Sequence, residues 1–88
     1  MNKLAEPRPY ADPETAARKI MEIAKGLGDV WEGRLFTEKL NWPMLFEFGA
    51  SPAEWRAGID LAVAKGWLEM HESGTYYRFT QAGKDLFA

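Results

Sequence analysis

The stretch from Ser51 to Leu86 constrains the fold most, because it joins a well-marked helix to two strand-like segments. Ser51 is a good N-cap, Pro52 suits the first helical position, and Glu54 completes a capping box. The apolar residues that follow recur at helical spacing and predict the buried side: Trp55, Ile59, Ala62 and Val63. Gly66 is predicted to end this helix in the left-handed conformation.

The segments after Gly66 predict a two-stranded antiparallel ribbon whose register follows from the side-chain pattern. An even loop centred on residues 73 and 74 gives these cross-strand pairs: Leu68 with Phe79, Glu69 with Arg78, Met70 with Tyr77, and His71 with Tyr76. The two apolar pairs then share one face, whereas an odd loop would mix the faces. Thr80 is placed to cap a short closing helix that carries Leu86 and Phe87.

The chain before Ser51 predicts an arm, two helices and one short strand. Pro7 and Pro9 indicate a flexible N-terminal arm over residues 1–11. A first helix is predicted from Asp12 to about Gly26, with these residues toward the core: Ala16, Ala17, Ile20, Ile23, Ala24 and Leu27. Residues 34–37 are predicted to add a strand to the ribbon.

The second helix is predicted to begin at Pro43 and to run to Gly49. Trp42 precedes a proline, and a residue in that position is disfavoured in helical backbone angles. We therefore place Trp42 before the helix and expect its indole, like that of Trp55, to pack in the core.

Composition indicates one small domain without catalytic chemistry. The chain has 88 residues, 47% of them hydrophobic, and it has no cysteine, which excludes disulfides and thiolate sites and fits a reducing compartment. No apolar run approaches the length of a membrane span, so the sequence predicts a cytoplasmic protein. His71 is the only histidine, so we expect neither an enzyme nor a metal site, and no cofactor.

The order helix, strand, helix, helix, ribbon and closing turn is typical of a winged helix. Residues 66–69 (GWLE), 77–80 (YRFT) and 82–83 (AG), followed by Leu86, resemble the third helix end, wing and following turn of bacterial MarR-like and PadR-like regulators. Trp55, Ile59 and Ala62 match the core positions of that family's recognition helix. The resemblance implies an α+β winged-helix domain over residues 12–88, with a three-helix core, a two- to three-stranded antiparallel wing and a short C-terminal helix.

The resemblance also implies a transcriptional regulator that contacts double-stranded DNA through its third helix and wing. The candidate contacts are Arg56, Lys65, Arg78 and Lys39, the last three toward phosphates. The charges fit DNA poorly, because residues 51–65 hold two bases and two acids and the chain carries a net charge of −2. Phosphate neutralisation supplies most of the affinity for DNA.

The alternative function is a winged-helix protein-interaction module that binds no DNA. Small and apolar residues on the outward side of the third helix would suit a partner protein or a weak homodimer, and monomer and dimer both stay open. The candidate contacts are Ala57, Asp60, Leu61 and Tyr76. Trp31, Trp42 and Tyr76 are candidates for an exposed aromatic anchor, the residue type enriched at interface hot spots.

Overall fold

The computed structural model describes residues 8–28 and 32–87, which have an α+β architecture. Their elements are a 3₁₀ turn (Pro9–Ala11), α1 (Pro13–Leu27), β1 (Leu35–Phe36), α2 (Thr37–Trp42) with a π-helical continuation (Pro43–Glu47), α3 (Pro52–Ala64), β2 (Leu68–Met70), β3 (Tyr76–Phe79) and α4 (Gln81–Asp85). The antiparallel sheet has the spatial order β1-β3-β2. The predicted α+β class is therefore confirmed, and the antiparallel sheet has three strands, the larger of the two numbers predicted.

The ends of α3 follow the local sequence signals. Ser51 and Glu54 form both hydrogen bonds of the capping box, and Gly66 has a φ of +76°. The N–H of Trp67 donates to the carbonyl of Ala62 at 3.0 Å, which satisfies a carbonyl that the end of the helix would otherwise leave unpaired. This exit turns the chain directly into β2.

The centre of the core is the contact between α1 and α3. Gly58 of α3 lies so close to α1 that a Cβ atom at this position would be 2.7 Å from the Cβ of Ala16. Residues from the sheet, α2 and the turns close the core around this contact. The larger buried side chains are Ile20, Met21, Leu35, Leu40, Met44, Trp55, Ile59, Trp67, Leu68 and Tyr77.

The predicted register of the ribbon is confirmed. Leu68 pairs with Phe79 and Met70 with Tyr77, and the N–H of His71 donates to the Tyr76 carbonyl at 2.9 Å. On the other side of β3, the pairing of β1 with Tyr76 and Tyr77 confirms the added strand over Leu35–Phe36. The predicted Thr80 cap is also confirmed, because its hydroxyl accepts from the Gly83 N–H.

The prediction for α2 was wrong about both its start and Trp42. The helix begins at Thr37, and Trp42 has helical angles of φ −55° and ψ −52°. Pro43 has no N–H and its ring crowds the carbonyl four residues earlier, and the helix widens there instead of ending. The Phe48 N–H donates to the carbonyl of Pro43, five residues back, at 2.9 Å. Trp42 points outward and is not part of the core.

Two residues at the edges of the predicted buried side of α3 also differ from the prediction. Val63, predicted to be buried, is 38% exposed, whereas Leu61, predicted to face outward, is half-buried and packs against the core. Leu61 lies at one edge of the buried side, and its longer side chain reaches the core. Val63 lies at the other edge, and its shorter side chain stays at the surface.

The end of the predicted arm is ordered on the domain. Pro9–Ala11 form a 3₁₀ turn that contacts α1 and α3. The Arg8 guanidinium lies 2.8 Å from a carboxylate oxygen of Glu54 and donates to the carbonyl of Gly49. Two charge-assisted hydrogen bonds to one carboxylate hold the chain here, which the proline content alone did not indicate. Residues 1–7 of the arm lie outside the described residues.

Candidate functional site

Two aromatic side chains on the outside of α2 and its continuation are the most exposed large apolar residues described. Trp42 is 62% exposed and Phe46 is 66% exposed. Their ring centroids are 4.3 Å apart, with the planes tilted by 43°. We call this pair the aromatic ridge. Exposed rings that contact each other form a continuous apolar surface, which is typical of binding sites.

The phase of α2 explains why these rings face outward. Leu40 and Met44, one helical turn apart, are fully buried. Trp42 follows Leu40 by two residues and therefore projects about 200° away around the helix. Phe46 follows Trp42 by four residues, which brings the two rings together. The same phase would have been readable from the sequence if the helix had been started at Thr37.

Trp42 separates two surface grooves. The first has a volume of about 480 Å³, lies between α2 and the β2–β3 loop, and is lined by Phe36, Thr37, Glu38, Asn41, Trp42, Gly74 and Thr75. The second has a volume of about 430 Å³ and is lined by Leu27, Glu38, Lys39, Trp42 and Pro43. Trp42 and Glu38 thus line both grooves.

Two exposed carboxylates accompany the ridge. Glu38 lies one helical turn before Trp42, and Glu47 directly follows Phe46. Within residues 8–28 and 32–87, neither carboxylate has an ion-pair partner. By contrast, the acids on α1 and α3 are paired: Glu14 with Arg18 and Lys65, Glu22 with Lys19, Glu54 with Arg8, and Asp60 with Arg56. The negative charge beside the ridge is therefore not neutralised by these residues.

The cations predicted on α3 are both in ion pairs. Arg56 Nη1 lies 3.7 Å from Asp60 Oδ1 on the exposed side of the helix. Lys65 Nζ lies 3.3 Å from Glu14 Oε1 of α1 and 5.2 Å from the centroid of Trp67. Phosphate would have to compete with a carboxylate at each position.

The other two predicted DNA contacts lie on different elements. Arg78 faces Glu69 across the strands, as predicted, but its Nη1 donates to the backbone oxygen of Glu32 at 3.2 Å. Its guanidinium also lies 5.4 Å from the centre of the Tyr76 ring. Lys39 is exposed on α2 and lines the second groove. The four predicted contacts are thus distributed over α2, α3 and β3.

The predicted protein contacts lie partly at the surface. Ala57 is exposed, and Asp60 is exposed in its pair with Arg56. Leu61 does not project freely, because it packs against the core. The half-buried ring of Tyr76 stacks on His71 at 4.4 Å and meets Phe36 edge-on at 5.8 Å. Trp31, the third aromatic candidate, lies outside the described residues.

Glu54 has a structural role at the N-terminus of α3. One carboxylate oxygen accepts from the Ser51 N–H at 2.9 Å, and both oxygens accept from Arg8. Hydrogen bonding to Arg8, followed by the Ser51 backbone bond, lowers the pKa of Glu54 to about 2. Arg8 thus neutralises one of the two acids within residues 51–65.

Comparison with known proteins gives no relative for this chain. No protein-family model, no curated protein and no solved structure matches it. Among the residues that the structure describes, no helix is both long and apolar enough to cross a bilayer. The same residues contain no group of three or more His, Cys, Asp or Glu side chains arranged to hold a metal ion.

Proposed function

We propose that this chain is a winged-helix protein-interaction module that binds a partner protein through the aromatic ridge. The order of helices and strands and the sheet order β1-β3-β2 support the winged-helix assignment, with β2 and β3 as the wing. The observation that carries the function is the exposed contact between Trp42 and Phe46. Tryptophan is among the residues most enriched at interface hot spots.

The ridge is large enough to contribute substantially to binding. Its exposed ring surface amounts to roughly 200–300 Å², taking 150–250 Å² for each aromatic side chain. Removing that area from water would contribute about 5–8 kcal/mol before the cost of association. Association itself costs about 4–15 kcal/mol, so residues around the ridge have to take part as well. The two grooves beside Trp42 supply that neighbouring surface.

DNA binding is the second candidate function. It is supported by the element order, by the exposed position of Arg56 on α3 and by the neutralisation of Glu54 by Arg8. The charges of α3 and the wing favour the first function, because Arg56 and Lys65 are already paired and the wing loop carries Glu72 but no lysine or arginine. DNA affinity depends on releasing counterions from several phosphates.

The test of the first function starts from a partner captured on the immobilised chain after nuclease treatment. That partner is identified, purified and titrated by calorimetry with the wild type, Trp42→Ala and Met70→Ala. We expect Trp42→Ala to weaken binding about 30-fold, the loss of about 2 kcal/mol that defines a hot spot. Met70, an exposed apolar residue on β2, is the matched control and should change affinity less than about threefold. Equal losses in both variants would contradict the proposal.

The two candidate functions are separated by an NMR titration of the labelled chain with a mixed-sequence DNA duplex. Spectra are recorded at low salt and near physiological salt. Under the first function the amides of α3 and the wing do not shift, even at low salt where phosphate attraction is strongest. Shifts that are confined to residues 51–65 and the wing and that weaken as salt rises would contradict the protein-interaction function and support DNA binding.

A further inference from the structure

We infer that the partner bound at the aromatic ridge presents a basic segment, with an arginine or lysine side chain between the Trp42 indole and the Glu38 carboxylate. This inference rests on the proposed function and specifies the chemistry of its partner. The site of the cation is the first groove, between α2 and the β2–β3 loop.

The first argument comes from the carboxylates. Glu38 and Trp42 lie one turn apart on the same helix and line the same groove, so a cation that covers the indole also meets the carboxylate. Glu47 adds a second exposed carboxylate next to Phe46. Neither has an ion-pair partner among the described residues, so a basic segment would supply the missing countercharge. Lys39 lines only the second groove, which makes the first the more negative of the two.

The second argument comes from the aromatic rings. Several rings of this chain are covered by the chain's own cations: Trp67 by Arg18 and Lys65, Phe48 by Lys19, Phe87 by Lys25, and Tyr76 by Arg34 and Arg78. In the part of the chain that the structure describes, no cation lies over Trp42 or Phe46. Tryptophan is the side chain that attracts cations most strongly. The rings of the aromatic ridge can therefore bind a cation from another molecule.

The same charges disfavour other occupants. A two-fold symmetric dimer built on this surface would bring Glu38 and Glu47 of both copies into one interface, and like charges brought together are repulsive. Nucleic acid and acidic peptides would bring further negative charge to the same place. A basic protein segment combines attraction to the carboxylates with contact to both rings.

The test uses two synthetic peptides of equal length and equal leucine content, one with arginine and one with glutamate at the remaining positions. Each is titrated into the full labelled chain while the indole N–H of Trp42 is followed, a signal assigned by its loss in Trp42→Phe. We expect the arginine peptide to shift this signal and to bind at least about tenfold more tightly than the glutamate peptide. Its affinity should fall as salt increases.

Matched variants identify the carboxylate. Glu38→Gln keeps the size of the side chain and should weaken binding of the arginine peptide about three- to tenfold. Asp85→Asn changes the net charge by the same amount on α4 and should leave binding unchanged. Circular dichroism confirms that each variant is folded. Equal weakening in both variants would show that binding depends on the net charge of the chain and not on the position of Glu38, which would overturn the inference.

Other outcomes distinguish this inference from the proposed function. If both peptides shift Trp42 equally, the ridge binds segments without regard to charge, so the inference fails and the proposed function survives. If the arginine peptide shifts Glu69 and Glu72 of the wing instead of Trp42, the cation site is elsewhere and the inference fails. If neither peptide shifts Trp42 and partner binding does not depend on Trp42, both fail.

Discussion

At the scale of single residues, Glu54 shows how one side chain serves two contacts. It completes the capping box of α3 with Ser51 and ties the end of the N-terminal arm to the domain through Arg8. The sequence predicted the first role, because the capping box is a local pattern. It could not predict the second, because Arg8 is 46 residues away along the chain.

The lowered pKa of Glu54 makes the stability of the fold pH-dependent. Because the folded pKa of about 2 lies below the ordinary 4.5, ionised Glu54 stabilises the fold above pH 4.5, and this contribution is lost as pH falls from 4.5 to about 2. In Glu54→Gln we expect a lower thermal unfolding midpoint at neutral pH and a smaller decrease over that interval. Thermal unfolding followed by circular dichroism across the pH range measures both. An unchanged pH profile in the variant would contradict the assignment.

Gly58 determines how closely α3 approaches α1. In Gly58→Ala the new Cβ would lie 2.7 Å from the Ala16 Cβ, and overpacking of this kind costs about 1–3 kcal/mol. Gly26→Ala is the control, because its Cβ would meet nothing within 4 Å and alanine is favoured in a helix by about 1 kcal/mol. Urea unfolding should show a lower midpoint for the first variant and a higher midpoint for the second. A more stable Gly58→Ala would contradict the close approach.

At the scale of elements, the sequence predicted those whose ends are marked locally. Helix α3 has a capping box and a terminal glycine, and the ribbon has alternating apolar pairs, so their bounds and register were confirmed. Helix α2 has no side-chain cap at its start and is followed by Pro43, the first residue of its π-helical continuation. Pro43 was predicted to be the first residue of the second helix. Tertiary contacts of Leu40 and Met44 instead keep the helix continuous through it. Trp42 was among the candidates for an exposed aromatic anchor, but its contact with Phe46 was missed for the same reason.

The phase of α2 is tested by two substitutions on opposite sides of the helix. Leu40→Ala should lower the free energy of unfolding by about 2–5 kcal/mol, because it removes a fully buried side chain. Trp42→Ala should lower it by less, about 0.5–1.5 kcal/mol, because the side chain is 62% exposed and its ring contact is with Phe46. Urea unfolding of both variants compares the two sides. A larger loss for Trp42→Ala would place the indole in the core after all.

At the scale of the whole molecule, stability is concentrated where α1 packs on α3. The fully buried Ala16, Ile20 and Ala24 of α1 form one half of this contact. The loop between β2 and β3 is exposed and is held by short-range bonds such as that between His71 Nδ1 and the Ser73 hydroxyl. The sequence predicted the apolar sides of α1 and α3 and a loop centred on residues 73 and 74. It could not predict which surface charges meet over long distances along the chain, as Arg8 does with Glu54 and Lys65 with Glu14.

Hydrogen exchange should follow the same division. Amides in the middle of α1 and α3 are expected to exchange most slowly, because they open only when the core opens. Amides of residues 72–75 should exchange much faster, because that loop is exposed and its hydrogen bonds are local. Mass spectrometry of the exchanging chain measures both regions. Equal exchange in α1 and the loop would show that the core is not the stable unit.

The π-helical turn after Pro43 has a genetic consequence. It spans five residues between its hydrogen-bonded ends, one more than an α-helical turn, so losing one codon within it would restore ordinary helical spacing. Deletion of Leu45 would place Phe46 three residues after Trp42 and rotate it by about 100° around the helix, so the present contact between the two rings would change. Leu40 and Met44 precede the deletion and would keep their inward positions. A single in-frame deletion would therefore reshape the aromatic ridge while Leu40 and Met44 stay in the hydrophobic interior.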